Sequence, residues 1–187
     1  AVTAAAARKI DPERVRSVFL GLNDGLVEIL GAVSGFFAAF TSAASVLAAA
    51  LTVAVAGSIS MAAGAFVAAS SEYEVREIER QKRRFLEGDG ADRGAAVRPL
   101  SSAVLVGIFY LLGALVPIAP VLLGARNLTA SVIAGVVMMI VVSFAVSMLS
   151  GMAASKRIAL NLVIMAVAVG VTYAIGIGAK TLLGISL

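Results

Sequence analysis

Five long apolar runs dominate the sequence and limit what it can fold into. They cover about residues 18–40, 46–71, 100–123, 128–152 and 158–183. A helix needs roughly 20 apolar residues to cross a hydrocarbon core about 30 Å thick, and each run is long enough. The runs are too long and too rich in Ala and Gly for strands. The sequence therefore predicts an all-α integral membrane protein with five transmembrane helices, forming a single membrane domain over residues 1–187.

The charged residues support this span count and predict an orientation. Only 14% of the residues are charged, against about 25% in soluble domains, which excludes a soluble enzyme and a disordered chain. With five spans, all Lys and Arg residues except Arg126 and Lys180 fall on one side of the membrane. The positive-inside rule then places the N-terminus in the cytoplasm. Residues 1–17 have no apolar core and do not form a signal peptide.

The longest polar segment, residues 72–99, follows the second span. Its first part is predicted to continue the second helix into the cytoplasm, with Glu72 and Arg76 forming an i,i+4 ion pair. Gly88 and Gly90 are predicted to end this extension, and a short loop leads to the third span.

The chain contains no His and no Cys. Disulfides, thiolate metal sites and imidazole general bases are therefore excluded. A metal site would have to use carboxylate, carbonyl, hydroxyl or thioether ligands.

Two acidic residues, Asp24 and Glu28, lie inside the first span. Their i,i+4 spacing places them on one helix face, which Gly31 and Gly35 extend. Glycines at this spacing let helices approach closely, so the face is predicted to be a helix–helix contact. An acid without a basic partner in a membrane is either protonated or binds a cation. A neutral carboxyl group with a purely structural hydrogen bond is the alternative.

The second span offers one further candidate ligand, Met61. A thioether suits softer transition ions, although a lone Met in a membrane helix is commonly packing filler. The same helix face leads to Glu72 at the cytoplasmic mouth, where a solvated ion pair is the alternative to metal binding. Ser60 and Gly64 have small-xxx-small spacing and predict tight helix packing.

Two motifs in these spans resemble signatures of the vacuolar iron transporter family. Residues 21–36 read GLNDGLVEILGAVSGF, and residues 58–72 read SISMAAGAFVAASSE. Weaker similarity follows at residues 113–123 and 171–176. The resemblance implies a five-helix protomer in the lipid bilayer, a homodimer formed through the first helix, and an ion path between the paired first helices. No permanently bound cofactor and no nucleic-acid partner are expected.

The family moves Fe²⁺, and often Mn²⁺, out of the cytosol in exchange for protons. Asp24 and Met61 match the positions that the family uses for metal inside the membrane, and Asn23 and Gly25 flank the first of them. The predicted metal ligands are Asp24, Glu28, Met61 and Glu72. The predicted supporting or packing residues are Asn23, Gly25, Gly31, Gly35, Ser60 and Gly64.

The chain departs from the family pattern in two places. Many members carry Glu where this chain has Ala65, and here Glu28 supplies a carboxylate on the first helix instead. Segment 72–99 is also shorter than the family's metal-collecting insert. Some prokaryotic relatives have an N-terminal ferritin-like domain, and a chain beginning at Ala1 leaves room for such a partner domain outside it. The expected location is the plasma membrane of a prokaryote or the vacuolar membrane of a eukaryote.

Other functions are compatible with the residues alone. A passive cation channel, or a proton-coupled transporter of a different substrate, would use the same buried acids. The chain could also be a structural subunit. In that case, replacing Asp24 by Asn would have no cation-dependent effect. An intramembrane aspartyl protease is disfavoured, because it needs acids on two helices and only the first helix has deep ones.

Overall fold

The computed structural model describes residues 12–87, 99–150 and 154–184, and over these ranges it contains helices and no strand. The helices are α1 (Pro12–Ala39), α2 (Ala43–Glu87), α3 (Pro99–Leu122), α4 (Leu128–Ser150) and α5 (Ala154–Leu183). All five are long and apolar enough to cross a membrane. The predicted all-α, five-span fold class is thus confirmed.

The second helix is the longest element, with 45 residues. It continues past the apolar run without interruption and carries the charged stretch as far as Glu87. At about 1.5 Å per residue its length is roughly 67 Å, more than twice the thickness of a hydrocarbon core. Gly88 and Gly90, which were predicted to end it, lie outside the described residues.

The end of α3 shows how local sequence sets a boundary. Gly124 adopts a φ of 96°, a left-handed conformation that glycine tolerates best. The Gly124 N–H donates to the carbonyl of Val121 at 3.0 Å, and the Ala125 N–H donates to that of Pro120 at 2.8 Å. This pair of bonds is a Schellman cap, and it ends the third span at Gly124.

The first helix lies at the centre of the bundle and contacts each of the other four. Ile29 and Val33 pack into an apolar cluster with residues of α2 and α3. Leu26 and Leu30 pack against methionines of α4 and α5. The helix that carries the two deep acids is therefore also the helix that organises the core.

Glycines let the other helices approach α1 closely. A Cβ added at Gly21 or Gly25 would collide with a backbone carbonyl oxygen of α3. One added at Gly35 would lie 2.9 Å from the Thr172 carbonyl oxygen of α5, and one at Gly176 would collide with the Gly35 carbonyl. Close backbone contacts of this kind drive helix association in lipid, where burial of apolar surface contributes little.

The tight packing predicted for Ser60 and Gly64 of α2 is not made by the described residues of the single chain. Ser60 and Gly64 are exposed, and nothing lies within 4 Å of a Cβ built at Gly64. The close contact with α3 instead involves Gly57 and Ser58, whose hydroxyl donates to the Gly107 carbonyl at 2.9 Å. Small-xxx-small spacing indicates a face that can approach another helix, but several faces of α2 carry small residues.

Large apolar side chains remain exposed on α2 and α5. Ile59 is 66% exposed on α2, and Ile175 is 65% exposed on α5. Within the described ranges these two helices do not contact each other. Exposed apolar surface of this extent is expected for a protein surrounded by lipid or by a second protein surface.

Candidate metal-binding site

The two deep acids lie in the middle of α1. The membrane-spanning part of this helix runs from Glu13 to Ala39. Asp24 lies 11 residues after Glu13 and Glu28 lies 11 residues before Ala39, so the pair is centred in the span. Asp24 is half-buried, whereas the Glu28 side chain is exposed in the single chain. The two carboxylates interact electrostatically with each other. Like charges at this spacing repel, so a cation between them would lower their energy.

Neither carboxylate forms an ion pair with a basic side chain in the described part of the protein. The position of Glu28 along α1 falls between two glycine contacts. Gly25 lies against α3, and a Cβ at Gly31 would lie 3.5 Å from the Thr172 side chain of α5. On the face that was predicted to form a helix contact, Gly31 and Gly35 lie against α5, whereas Glu28 is exposed between the contacts with α3 and α5.

The thioether of Met61 lies on the inner side of α2. Met61 is partly buried and packs against the apolar cluster that contains Ile29 of α1 and Tyr110 of α3. It therefore borders the same core that the acid-bearing helix helps to form. Asn23, the neighbour of Asp24, is partly buried.

Glu72 is held in an ion pair near the start of α1. The Arg76 guanidinium donates to Glu72 at 2.5 Å and to Glu13 at 3.2 Å. The predicted i,i+4 pair is present, and it also connects α2 to the first turn of α1. These side chains are about two-fifths to half exposed, so water screens the ion pair and it adds little to stability. A metal ion would have to displace Arg76 to use Glu72.

The acids are not gathered into one cluster. Across the three described ranges, no group of three or more acidic side chains could hold a metal ion together. Glu72 is thus separate from the Asp24–Glu28 pair. One chain contributes two carboxylates inside the membrane, with Met61 as the predicted thioether.

Tyr110 is a residue that the sequence reasoning missed. It is fully buried and is the largest fully buried side chain in the described part of the chain. Its hydroxyl is buried and completes no hydrogen bond among the described residues, and a buried hydroxyl is costly unless it finds a partner. Glu28 and, more weakly, Asp24 act on it electrostatically. A tyrosine inside an otherwise apolar span was a usable signal, because a buried Tyr usually finds a partner for its hydroxyl.

Comparison with known proteins matches most of the chain to one family. The model of the VIT family matches residues 15–91 and 83–177. These ranges include the acid pair, Met61, Glu72 and Tyr110. The resemblance seen in the two motifs is therefore confirmed.

Curated plant proteins show the same relationship. The "VIT-like transporter 1b" of Glycine max is 34% identical over 110 residues, covering 56% of this chain and 48% of that protein. The "Vacuolar iron transporter homolog 2" of Oryza sativa subsp. japonica is 34% identical over 110 residues, covering 56% of each. The "Vacuolar iron transporter homolog 1" of Arabidopsis thaliana is 31% identical over 104 residues, covering 56% of this chain and 50% of that protein.

This chain spans about half the length of the curated relatives that it matches. The family match, the five apolar helices and the acid-bearing first helix agree with one another. The chain is a multi-pass membrane protein and belongs to the VIT family.

Proposed function

We propose that the chain transports divalent transition metal, Fe²⁺ and also Mn²⁺, out of the cytosol in exchange for protons. The path runs along a homodimer interface lined by Asp24, Glu28 and Met61. The orientation is the one that the basic residues predict, with the N-terminus in the cytoplasm. The names of the relatives, which are called iron transporters, support the choice of metal.

The observation that carries this proposal is the pair of deep carboxylates on α1. They lie mid-span, and they form no ion pair with a basic side chain among the described residues. Acids inside a membrane are costly and mark ion or proton pathways. A structural role would be served better by one neutral, hydrogen-bonded carboxyl group than by two carboxylates that repel each other.

A second copy of the chain would complete the site. One chain offers two carboxylates and Met61, whereas ions such as Mn²⁺ favour a larger, oxygen-rich shell. Two copies of α1 facing each other would double the carboxylates, and water could supply the remaining ligands. The exposure of Glu28 in the single chain favours this arrangement.

Proton exchange follows from the ligand type. A carboxylate must be ionised to bind metal, so protons and metal compete for the same oxygens. On the acidic side of the membrane, protonation releases the metal, and on the neutral side deprotonation allows the next ion to bind. No separate proton-carrying residue is required.

Replacement of Asp24 by Asn tests the proposal. Purified protein in liposomes with an acidic interior should take up Fe²⁺ and release protons, and Asp24→Asn should reduce uptake by at least tenfold. Zn²⁺ and Ca²⁺ serve as competing substrates, and a fluorescent pH indicator inside the liposomes measures proton release. Ser71→Ala, which changes an exposed residue of α2, is the matched control and should transport like the unchanged protein.

Two results would favour the other candidates. Uptake of Fe²⁺ that does not depend on the pH gradient would indicate a passive cation channel. Proton release driven by a substrate other than Fe²⁺ or Mn²⁺ would indicate a different proton-coupled transporter. Unchanged Fe²⁺ uptake by Asp24→Asn would contradict the proposed role of the acid pair.

A further inference from the structure

Tyr110 of α3 lies against both helices that carry the candidate site, α1 and α2. Its own backbone is fixed against α1, because a Cβ at Gly25 would collide with the Tyr110 carbonyl oxygen. Its ring reaches α2, where a Cβ at Gly57 would collide with the Tyr110 hydroxyl. Gly25 therefore lets the backbones of α1 and α3 approach each other, and Gly57 leaves the space that the tyrosine ring needs against α2.

The hydroxyl of Tyr110 is free to donate a hydrogen bond where it lies against α2. It is buried and completes no hydrogen bond within the described residues. Glu28 interacts with it most strongly among the acids, and Asp24 follows. An ionised carboxylate only accepts hydrogen bonds, whereas a phenol donates one. The two groups are chemically matched as donor and acceptor.

Glu28 is the ligand that most needs to be held in place. Its side chain is exposed in the single chain, while that of Asp24 is half-buried. Carboxylates that bind metal are usually fixed by hydrogen bonds from outside the coordination shell, and loss of such a bond commonly lowers affinity by about 10–100-fold. Met61 packs against the apolar cluster that includes Tyr110, so the same residue also borders the candidate thioether.

We propose that Tyr110 is a positioning residue of the metal site. Its hydroxyl donates a hydrogen bond to the carboxylate of Glu28 and holds that group toward Asp24. Its ring, seated against Gly57, keeps α2 and Met61 at a fixed distance from α1. This inference rests on the proposed metal-binding role of Asp24 and Glu28, and it adds a residue of α3 to that role.

The first experiment measures metal binding. Mn²⁺ binding to the purified protein is followed by electron paramagnetic resonance of the free ion. Tyr110→Phe retains the ring and should weaken Mn²⁺ binding by about tenfold or more, the lower end of the effect expected for such partners. Tyr173→Phe removes the hydroxyl of another tyrosine, a partly exposed one on α5, and should bind Mn²⁺ like the unchanged protein.

The second experiment detects the hydrogen bond itself. The chain has no Trp and three Tyr residues, so the variant with Tyr73→Phe and Tyr173→Phe emits fluorescence from Tyr110 alone. A carboxylate that accepts a hydrogen bond from a phenol quenches its emission. Adding Glu28→Gln to this variant should therefore raise the emission, whereas adding Ser71→Ala should not.

The outcomes separate this inference from the proposed function. If Glu28→Gln leaves the emission unchanged, or if Tyr110→Phe binds Mn²⁺ as tightly as the unchanged protein, the positioning role is overturned. If the unchanged protein moves no metal into liposomes, the proposed transport fails, and the emission and Mn²⁺-binding results still decide the role of Tyr110. Gly57→Ala, which would press on the hydroxyl, should weaken Mn²⁺ binding as Tyr110→Phe does.

Discussion

Asp24 and Glu28 carry the same charge one helical turn apart, but their surroundings differ. Asp24 is half-buried beside Gly25 and the backbone of α3, whereas Glu28 is exposed in the single chain. A half-buried carboxylate has little freedom to turn, and an exposed one has much. In the proposed metal site, Asp24 would therefore be the fixed ligand and Glu28 the ligand that other groups orient.

The carboxylate of Glu28 is predicted to replace one that many family members carry on the second helix, where this chain has Ala65. Glu28→Gln should reduce Fe²⁺ uptake into liposomes by about tenfold or more. The double variant Glu28→Gln, Ala65→Glu should regain part of the uptake. Full uptake by Glu28→Gln alone would contradict the replacement.

The hydrogen bond between Ser58 and α3 gives a prediction on stability. The Ser58 hydroxyl is buried and donates to the Gly107 carbonyl at 2.9 Å. Ser58→Ala should lower the free energy of unfolding by about 1 kcal/mol, the usual contribution of such a bond. Thermal unfolding in detergent, followed by circular dichroism, measures the change. Ser71→Ala, at an exposed position of the same helix, should leave the midpoint unchanged.

The sequence indicated the residues that stand out by their charge, but not those whose role depends on packing between helices. Asp24 and Glu28 stand out because charge is rare in a membrane span. Tyr110 and Gly57 could not be paired from the sequence, since their contact depends on how α2 and α3 are rotated. The ion pairs of Arg76 with Glu72 and Glu13 could not be predicted in full either, because the pair with Glu13 depends on the relative position of α1 and α2.

At the scale of elements, α1 is positioned by glycines that contact different neighbours. The sequence predicted a close contact for this helix from its glycine spacing. It could not predict that Gly21 and Gly25 contact α3 while Gly31 and Gly35 contact α5. The glycine spacing indicates how closely another helix can approach. Which helix approaches depends on the complementary surfaces along the whole length of both helices.

The contact between α1 and α5 can be tested with two glycines of one helix. A Cβ at Gly176 would collide with the Gly35 carbonyl, whereas nothing lies within 4 Å of one at Gly178. Gly176→Ala should destabilise the protein by about 1–3 kcal/mol, the cost of overpacking. Gly178→Ala should be neutral or stabilising by up to about 1 kcal/mol, because Ala favours the helix.

Thermal unfolding of the two variants in detergent provides the measurement. Equal midpoints for Gly176→Ala and Gly178→Ala would show that α1 and α5 are not in close contact in the protein. A lowered midpoint for Gly176→Ala alone would support the arrangement described above.

At the scale of the whole molecule, the five-helix fold could be predicted because each span is encoded locally. Apolar length and the capping glycine Gly124 need no knowledge of the tertiary structure. The central place of α1 and the wide exposure of α2 and α5 could not be predicted, since the apolar spans have almost no polar face to indicate their orientation.

The proposed homodimer gives a prediction at this scale. Leu20 is 45% exposed on α1 and lies one turn before Asp24. The natural chain lacks cysteine, so Leu20→Cys introduces a single thiol. Oxidation in the membrane should link two copies through this residue. Val163→Cys, on the exposed face of α5, should remain uncrosslinked, and the reverse result would place the interface on α5.

The uninterrupted length of α2 has a mechanical consequence. Because the helix is continuous, a tilt of its membrane-spanning half also moves its polar end. For a helix of roughly 67 Å, a tilt of about 5° moves the far end by about 6 Å. The contact of Arg76 with Glu13 lies between the membrane half and this end. A small tilt of α2 about Ala43 would therefore move Glu87 more than twice as far as Met61.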